Sequence, residues 1–234
     1  MSSSSMSSSS MSSSSMSSGL IVASDLEGTL SSGETWKAMA AYLERDGKSR
    51  AYRNFFNARF AGALLAQTGI INRREFQNRW IEELIGLFAG FSLEEFRAVA
   101  EWVVEHHLWP QRKTQVIAEL EKCKLEGARL ILVSGTYQPV LEAFAIRLSA
   151  KAIGSPLEIV NGKLTGRLSG PINVGIQKVS SLKLHGITNL EAAFGDTLPD
   201  SAMLEMARNP VVIPTDAKLE KLALERGWRI LRTE

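Results

Sequence analysis

The chain has 234 residues, 44% of them hydrophobic and 22% charged, with a formal net charge of +2. That balance is ordinary for a globular protein; the scattered Lys and Arg argue against a dedicated nucleic-acid surface, and no apolar run is long enough to span a membrane. Cys123 is the only cysteine, so no internal disulfide can form, and the cytosol (a cytoplasmic protein) is the expected compartment.

Residues 1–18 are Ser broken by Met at 1, 6, 11 and 16. The segment has no basic start, no apolar stretch and no cleavage-like end, so it does not read as a secretory signal. A repeat this plain cannot bury a core, and it is expected to be a disordered tail. The rest of the chain suffices for one large domain, or for a domain with an insertion.

Residues 19–25 form a continuous apolar run, the pattern of a strand buried on both faces in a parallel sheet. From 33 to 110 the character changes. Four stretches, 34–47, 50–69, 72–90 and 92–109, carry apolar residues at helical spacing. Gly47, Gly69 and Gly90 fall at helix ends, and Ser92 with Glu95 forms a capping box. After Pro110 helices and strands alternate: helix 114–127, strand 128–135, helix 138–149, helix 176–186, strand 190–196, helix 199–208, strand 210–214, helix 216–227 and strand 228–231. Between them, 156–170 reads as two short strands around Asn161-Gly162, a strong hairpin dipeptide. Alternation of this kind predicts an α/β fold, a doubly wound, Rossmann-like parallel sheet with helices on both faces. The first strand then belongs with the C-terminal half. Residues 19–32 and 111–234 make the core, and 33–110 is an inserted helical cap.

In an open parallel sheet, ligands sit outside the carboxyl ends of the strands. The first strand ends in Asp25-Leu26-Glu27-Gly28-Thr29, the next core strand in Ser134-Gly135-Thr136, and the strand at 191–194 in Gly195-Asp196, with Asp200 four residues later. Lys178 opens a helix leading into that last strand. This set suits phosphoryl transfer. A phosphate ester and an attacking carboxylate are both anionic, so cations must relieve their repulsion. Asp25 and Asp196 are hard oxygen ligands suited to Mg²⁺, and Lys178 supplies a second positive charge. Ser134 and nearby backbone N–H groups can bond phosphate oxygens, and Gly28 and Gly135 let backbone approach closely. Singly, each residue has a plainer reading. An Asp after a strand commonly caps a helix or forms a turn, Asp200 after Pro199 suits a helix N-terminus, and most lysines are solvated. The ordered combination at successive strand ends is what points to chemistry.

In that combination the chain resembles the haloacid dehalogenase (HAD) superfamily of phosphatases, in its phosphoserine phosphatase-like branch (subfamily IB). "DLEGT" is similar to the first motif, Asp-x-Asp-Gly-Thr, apart from the second acid; "ILVSGT" to the second; Lys178 in "GIQKVSSL" to the third; "GDTLPD" to the fourth. The hairpin before the lysine and a helical cap after the first motif are also typical of that branch. The resemblance implies that Asp25 is the nucleophile, forming an aspartyl-phosphate. It implies Mg²⁺ held by the Asp25 carboxylate, the Glu27 backbone carbonyl and Asp196, with Asp200 supporting that shell. Ser134 and Lys178 hold phosphoryl oxygens, and Glu27 protonates the leaving oxygen and then activates water. Glu27 departs from the usual Asp and adds one methylene of reach. Glu34 resembles the glutamate that binds the substrate amine in phosphoserine phosphatases, and Arg79 is the candidate for the serine carboxylate. The implied substrate is a small phosphorylated metabolite, phosphoserine first.

Two other classes stand beside this one. Receiver-like phosphoacceptor domains also combine Asp, Mg²⁺, Ser/Thr and Lys on a parallel sheet, but the motif order and the insertion argue against them. A non-catalytic binding protein on the same scaffold is disfavoured by the intact acid, hydroxyl, lysine and acid set. Trp36, Trp80, Trp102 and Trp109 read as packing within or beside the cap, or as an apolar wall for a larger substrate, and His106 and His107 carry no assigned role.

Overall fold

The computed structural model describes residues 19–47, 49–68 and 73–233; the serine-rich segment and the expected helix end at Gly69 lie outside the described residues. Six strands form one sheet: β1 (Ile21–Ser24), β2 (Arg129–Tyr137), β3 (Lys151–Ser155), β6 (Leu190–Gly195), β7 (Ala207–Val212) and β8 (Arg229–Ile230). Their spatial order is β3-β2-β1-β6-β7-β8, and every pairing is parallel. Both faces are covered, as such a sheet requires. Val22, Leu130, Leu132 and Phe194 point to one side, into a core shared with α5 (Thr114–Leu125) and α6 (Gln138–Ile146). Their neighbours Ala23, Ile131, Val133 and Ala193 point to the other, against α7 (Ile176–Leu184) and α9 (Ala217–Arg226). The chain winds from β1 through β2 to β3 and then crosses to β6 on the opposite flank. β1 and β6 are therefore neighbours whose connections diverge, and a crevice opens past their carboxyl ends.

Between β1 and β2 run α1 (Thr35–Arg45), α2 (Ser49–Gln67), α3 (Arg73–Leu84), a 3₁₀ turn at Ile85–Phe88 and α4 (Leu93–Val103), which continues into a π turn at Val104–Leu108. The Ser92–Glu95 capping box opens α4 as expected. This helical insertion shares its core with the first face of the sheet. Phe96 meets Tyr137 edge-on at 6.3 Å, and Trp109 meets Phe144 at 5.3 Å. The hairpin, β4 (Leu157–Val160) and β5 (Lys163–Leu168), stands apart from the main sheet. Asn161 and Gly162 both have positive φ, at 50° and 76°, as a tight hairpin turn needs. The hairpin leans on the insertion: Gly90 N donates to Leu164 O at 2.8 Å and Leu164 N to Phe91 O at 2.7 Å.

Three expectations are corrected. β3 was not foreseen, because "KAIGS" offers too little apolar sequence to stand out at a sheet edge. The helix expected over 199–208 shrinks to a 3₁₀ turn at Leu198–Asp200 and α8 (Ser201–Leu204). Pairing with β6 claims Ala207 and Asn209 for β7, so the ladder outcompetes local helix preference. β2 also runs past Ser134 to Tyr137, with a register irregularity between Val133 and Tyr137. Among the described residues, no helix is long and apolar enough to cross a membrane.

Candidate active site

Asp25 and Asp196 emerge side by side from β1 and β6, and Asp25 N donates to Phe194 O at 3.0 Å across that junction. Carboxylate oxygens of Asp25, Asp196 and Asp200 all lie within 4.8 Å of one another, and all three residues are buried. Into this group α7 delivers Lys178, only 2% exposed. Its Nζ stands 2.5 Å from Asp25 Oδ1 and 2.6 Å from Asp200 Oδ1. The other Asp200 oxygen is committed too: Oδ2 accepts from Thr197 N and Thr197 Oγ1, both at 3.0 Å, and from Asp196 N at 3.2 Å. Asp200 thus ties down the loop after β6 and orients the lysine. Asp196 is steadied by two hydroxyls, Thr29 on Oδ1 at 2.9 Å and Thr215 on Oδ2 at 2.5 Å.

Backbone has to come close here. Gly28 has φ +83°, and a Cβ on it would lie 2.0 Å from Asp196 Oδ2. The Lys113 ammonium donates to the Gly28 carbonyl, linking the start of α5 to the loop after β1. Gly135 is also tightly packed: a Cβ there would meet Val174 Cγ1 at 2.7 Å.

Charge in the group is lopsided. Burial pushes the Asp25 carboxyl up, Lys178 opposes, and Asp200 adds to the rise. Asp196 is pushed up to about 7, by burial first and then by the charges of Asp25 and Asp200. At Asp200 burial also disfavours ionisation, but Lys178 and the hydrogen bonds from Lys178 and Thr197 outweigh it and hold the carboxyl low. Burial would lower Lys178, yet Asp200 and Asp25 hold it above the ordinary lysine range. Three acids face one buried cation. The donors are hard oxygens at ligand spacing, and they fit a divalent ion such as Mg²⁺.

Glu27 is half-buried and projects toward the end of β2, where its Oε1 accepts from Thr136 Oγ1 at 3.1 Å. Burial raises its pKa and Asp25 adds to the rise, while Thr35 and, less strongly, Thr136 oppose it. Thr35 also approaches this carboxyl, but its buried hydroxyl completes no hydrogen bond. Ser134 is buried close enough to Asp25 to favour its ionised form, and its Oγ is 3.3 Å from Thr136 Oγ1.

The structure therefore brings Asp25, Glu27, Ser134, Lys178, Asp196 and Asp200 together. Glu34 sits at the N-cap of α1, partly exposed and ion-paired with Lys37. Arg79 is exposed on α3. Sequence reasoning gave no role to Thr136, Thr197, Thr215 or Lys113. Thr215 lies at a strand end, as the acids do, and the rule that found them could have found it. Lys113 has no such signal, because only the folded chain lays it over Gly28.

A family model described as haloacid dehalogenase-like hydrolase matches residues 22–205. Phosphoserine phosphatase SerB1 of Mycobacterium tuberculosis is 33% identical over 226 residues, spanning 88% of this chain and 68% of that protein. A histidinol-phosphatase of Neisseria meningitidis is 25% identical over 237 aligned positions, spanning 88% of this chain and 96% of that one. Among solved structures, a protein of unknown function from Bordetella pertussis superposes with a TM-score of 0.73 at 21% identity, covering 90% of this chain and 97% of its own. That likeness shows the shared fold.

Proposed function

This chain belongs to the haloacid dehalogenase-like hydrolases, and from that premise we propose that it is a Mg²⁺-dependent phosphatase of a small phosphorylated metabolite, working through an aspartyl-phosphate on Asp25. The observation that carries the reading is the buried Asp25 carboxylate, one oxygen held by Lys178 at 2.5 Å, with Asp196 and Asp200 oxygens within 4.8 Å of it.

Each role rests on that arrangement. Lys178 fixes Asp25 Oδ1, so Oδ2 is the oxygen left to attack phosphorus. Lys178 and the Ser134 hydroxyl then bond the phosphoryl oxygens and offset their charge. Glu27, whose pKa burial raises, is the group placed to keep a proton and pass it to the leaving oxygen. Left ionised, it next takes a proton from the water that hydrolyses the acyl phosphate, which frees Asp25. Asp25, Asp196 and the Glu27 carbonyl would hold a divalent cation, which would supply charge neutralisation at the phosphate. The insertion over 33–110 serves as the cap that shields the acyl phosphate from stray water.

Phosphoserine is the first substrate candidate, and histidinol phosphate joins it because relatives carry both names. Glu34 is the proposed contact for an amine and Arg79 for a carboxylate.

The test is phosphate release from an ester panel, with Mg²⁺ and with chelator, by wild type and Asp25→Asn. The expected result is Mg²⁺-dependent release by wild type and none by the variant. Release at the wild-type rate from Asp25→Asn defeats the mechanism. A phospho-enzyme that forms but does not turn over favours a phosphoacceptor instead.

A further inference from the structure

β2 does not stop at Ser134. It carries on to Tyr137, so Thr136 has a defined place facing the site. Its side chain is 5% exposed and β-branched, hence stiff about χ1. Tyr137, next along, is 2% exposed and donates its phenol proton to the Ile81 carbonyl of α3. The strand end that bears Thr136 is thus pinned from the insertion side. Thr136 Oγ1 lies 3.1 Å from Glu27 Oε1 and 3.3 Å from Ser134 Oγ.

We infer that Thr136 is the positioning residue for Glu27, its hydroxyl fixing one carboxyl oxygen so that the other is presented to the leaving group. This rests on the reading of Glu27 as the general acid. A threonine hydroxyl has one proton to donate. Given to Oε1, it makes that oxygen an acceptor, so the acidic proton resides on Oε2. As the phosphorus–oxygen ester bond breaks, that proton passes from Oε2 to the leaving oxygen. Glu27 is left ionised, with Thr136 still donating to Oε1. With Thr136 committed in this way, the Ser134 proton stays on the Asp25 side of the site, where it favours the ionised carboxylate. An arriving phosphate oxygen can accept a hydrogen bond from Ser134 without disturbing the Thr136–Glu27 bond. Glutamate has one more rotatable bond than aspartate and more freedom to lose. A buried hydroxyl on a pinned strand removes that freedom before substrate arrives.

The experiment measures single-turnover phosphorylation by an alkyl phosphate and by p-nitrophenyl phosphate. The proteins are wild type, Thr136→Val, Thr136→Ser, Glu27→Gln and the Glu27→Gln/Thr136→Val double variant. Alkoxide is the poorer leaving group and depends more on a delivered proton. Thr136→Val is expected to slow the alkyl ester about tenfold and the p-nitrophenyl ester less than about twofold, with Thr136→Ser restoring the alkyl rate. In the Glu27→Gln background the valine should add little, because the threonine acts through that carboxyl. A near-normal rate of phosphorylation by p-nitrophenyl phosphate also shows that the variant is folded. The inference is overturned when Glu27→Gln discriminates between the esters but Thr136→Val slows both alike or neither. Failure of Glu27→Gln itself to discriminate removes the general-acid assignment, and the inference with it, so the two failures are told apart.

Discussion

Asp196 is gripped on both oxygens by hydroxyls, Thr29 at 2.9 Å and Thr215 at 2.5 Å. Both bonds favour the ionised form and oppose the rise that burial imposes. Losing one should therefore let a proton compete harder for the carboxyl and leave the ligand less well aimed. Thr215→Val is predicted to weaken Mg²⁺ binding about tenfold at neutral pH while the fold persists, since outer-shell partners typically matter at that level. Isothermal titration with Mg²⁺ checks it, and an unchanged affinity counts against Asp196 as a ligand. Residue by residue, the acids were legible because each follows a strand that its own apolar run announces. The hydroxyls that hold them were harder to read. Thr136 and Thr215 also lie at or near strand ends, but threonine is common there and its partner is fixed only by the fold. Arg79, the proposed contact for a carboxylate, sits exposed on α3.

The turn that leaves β1 has to let the chain pass over the Asp196 carboxylate, and Gly28 is where it passes. Its φ of +83° disfavours a side chain, and a methyl there would sit 2.0 Å from Asp196 Oδ2. Gly28→Ala should therefore cost about 2–4 kcal/mol of stability from backbone strain and overlap together. It should also displace Asp196 and abolish phosphatase activity. Denaturant melts and the rate of phosphate release measure the two effects, and a stable, active Gly28→Ala variant contradicts this account of the turn. At this scale the legible elements were those with one dominant signal. β1 and β6 are continuous apolar runs, and the hairpin has Asn161-Gly162. Where signals conflict, the sequence misled. Residues 199–208 carry a helical apolar pattern, yet the ladder to β6 takes the end of that stretch for β7. β3, with Gly154 inside it and a sheet edge to occupy, had no strong signal at all.

For the molecule as a whole, the site is a store of unfavourable charge set between the two halves of the sheet. Asp196 has a pKa near 7 in the fold against an ordinary 3.8, so the folded protein holds that proton more tightly than the unfolded chain does. The stability this contributes is full below about pH 4 and is lost as the pH rises toward about 7. Asp25 and Glu27, also raised, act in the same direction. Asp200 is lowered, so its contribution persists through this window and fades only at more acid pH. His107, lowered by burial, works the other way near its ordinary 6.5, so a total slope mixes both signs. The difference between wild type and Asp196→Asn isolates the carboxylate. In chelator, wild-type Tm relative to that variant should fall between about pH 5 and about pH 7.5, at about 2–4 °C per kcal/mol for a chain of this size. A divalent cation competes with the proton for the same oxygens. Added MgCl₂ should therefore raise wild-type Tm at the higher pH, do little at the lower, and do little for Asp196→Asn at either. Parallel pH profiles for the two proteins, or a Mg²⁺ shift equal at both pH values, would show that the negative surplus at this junction is relieved by something other than a bound cation.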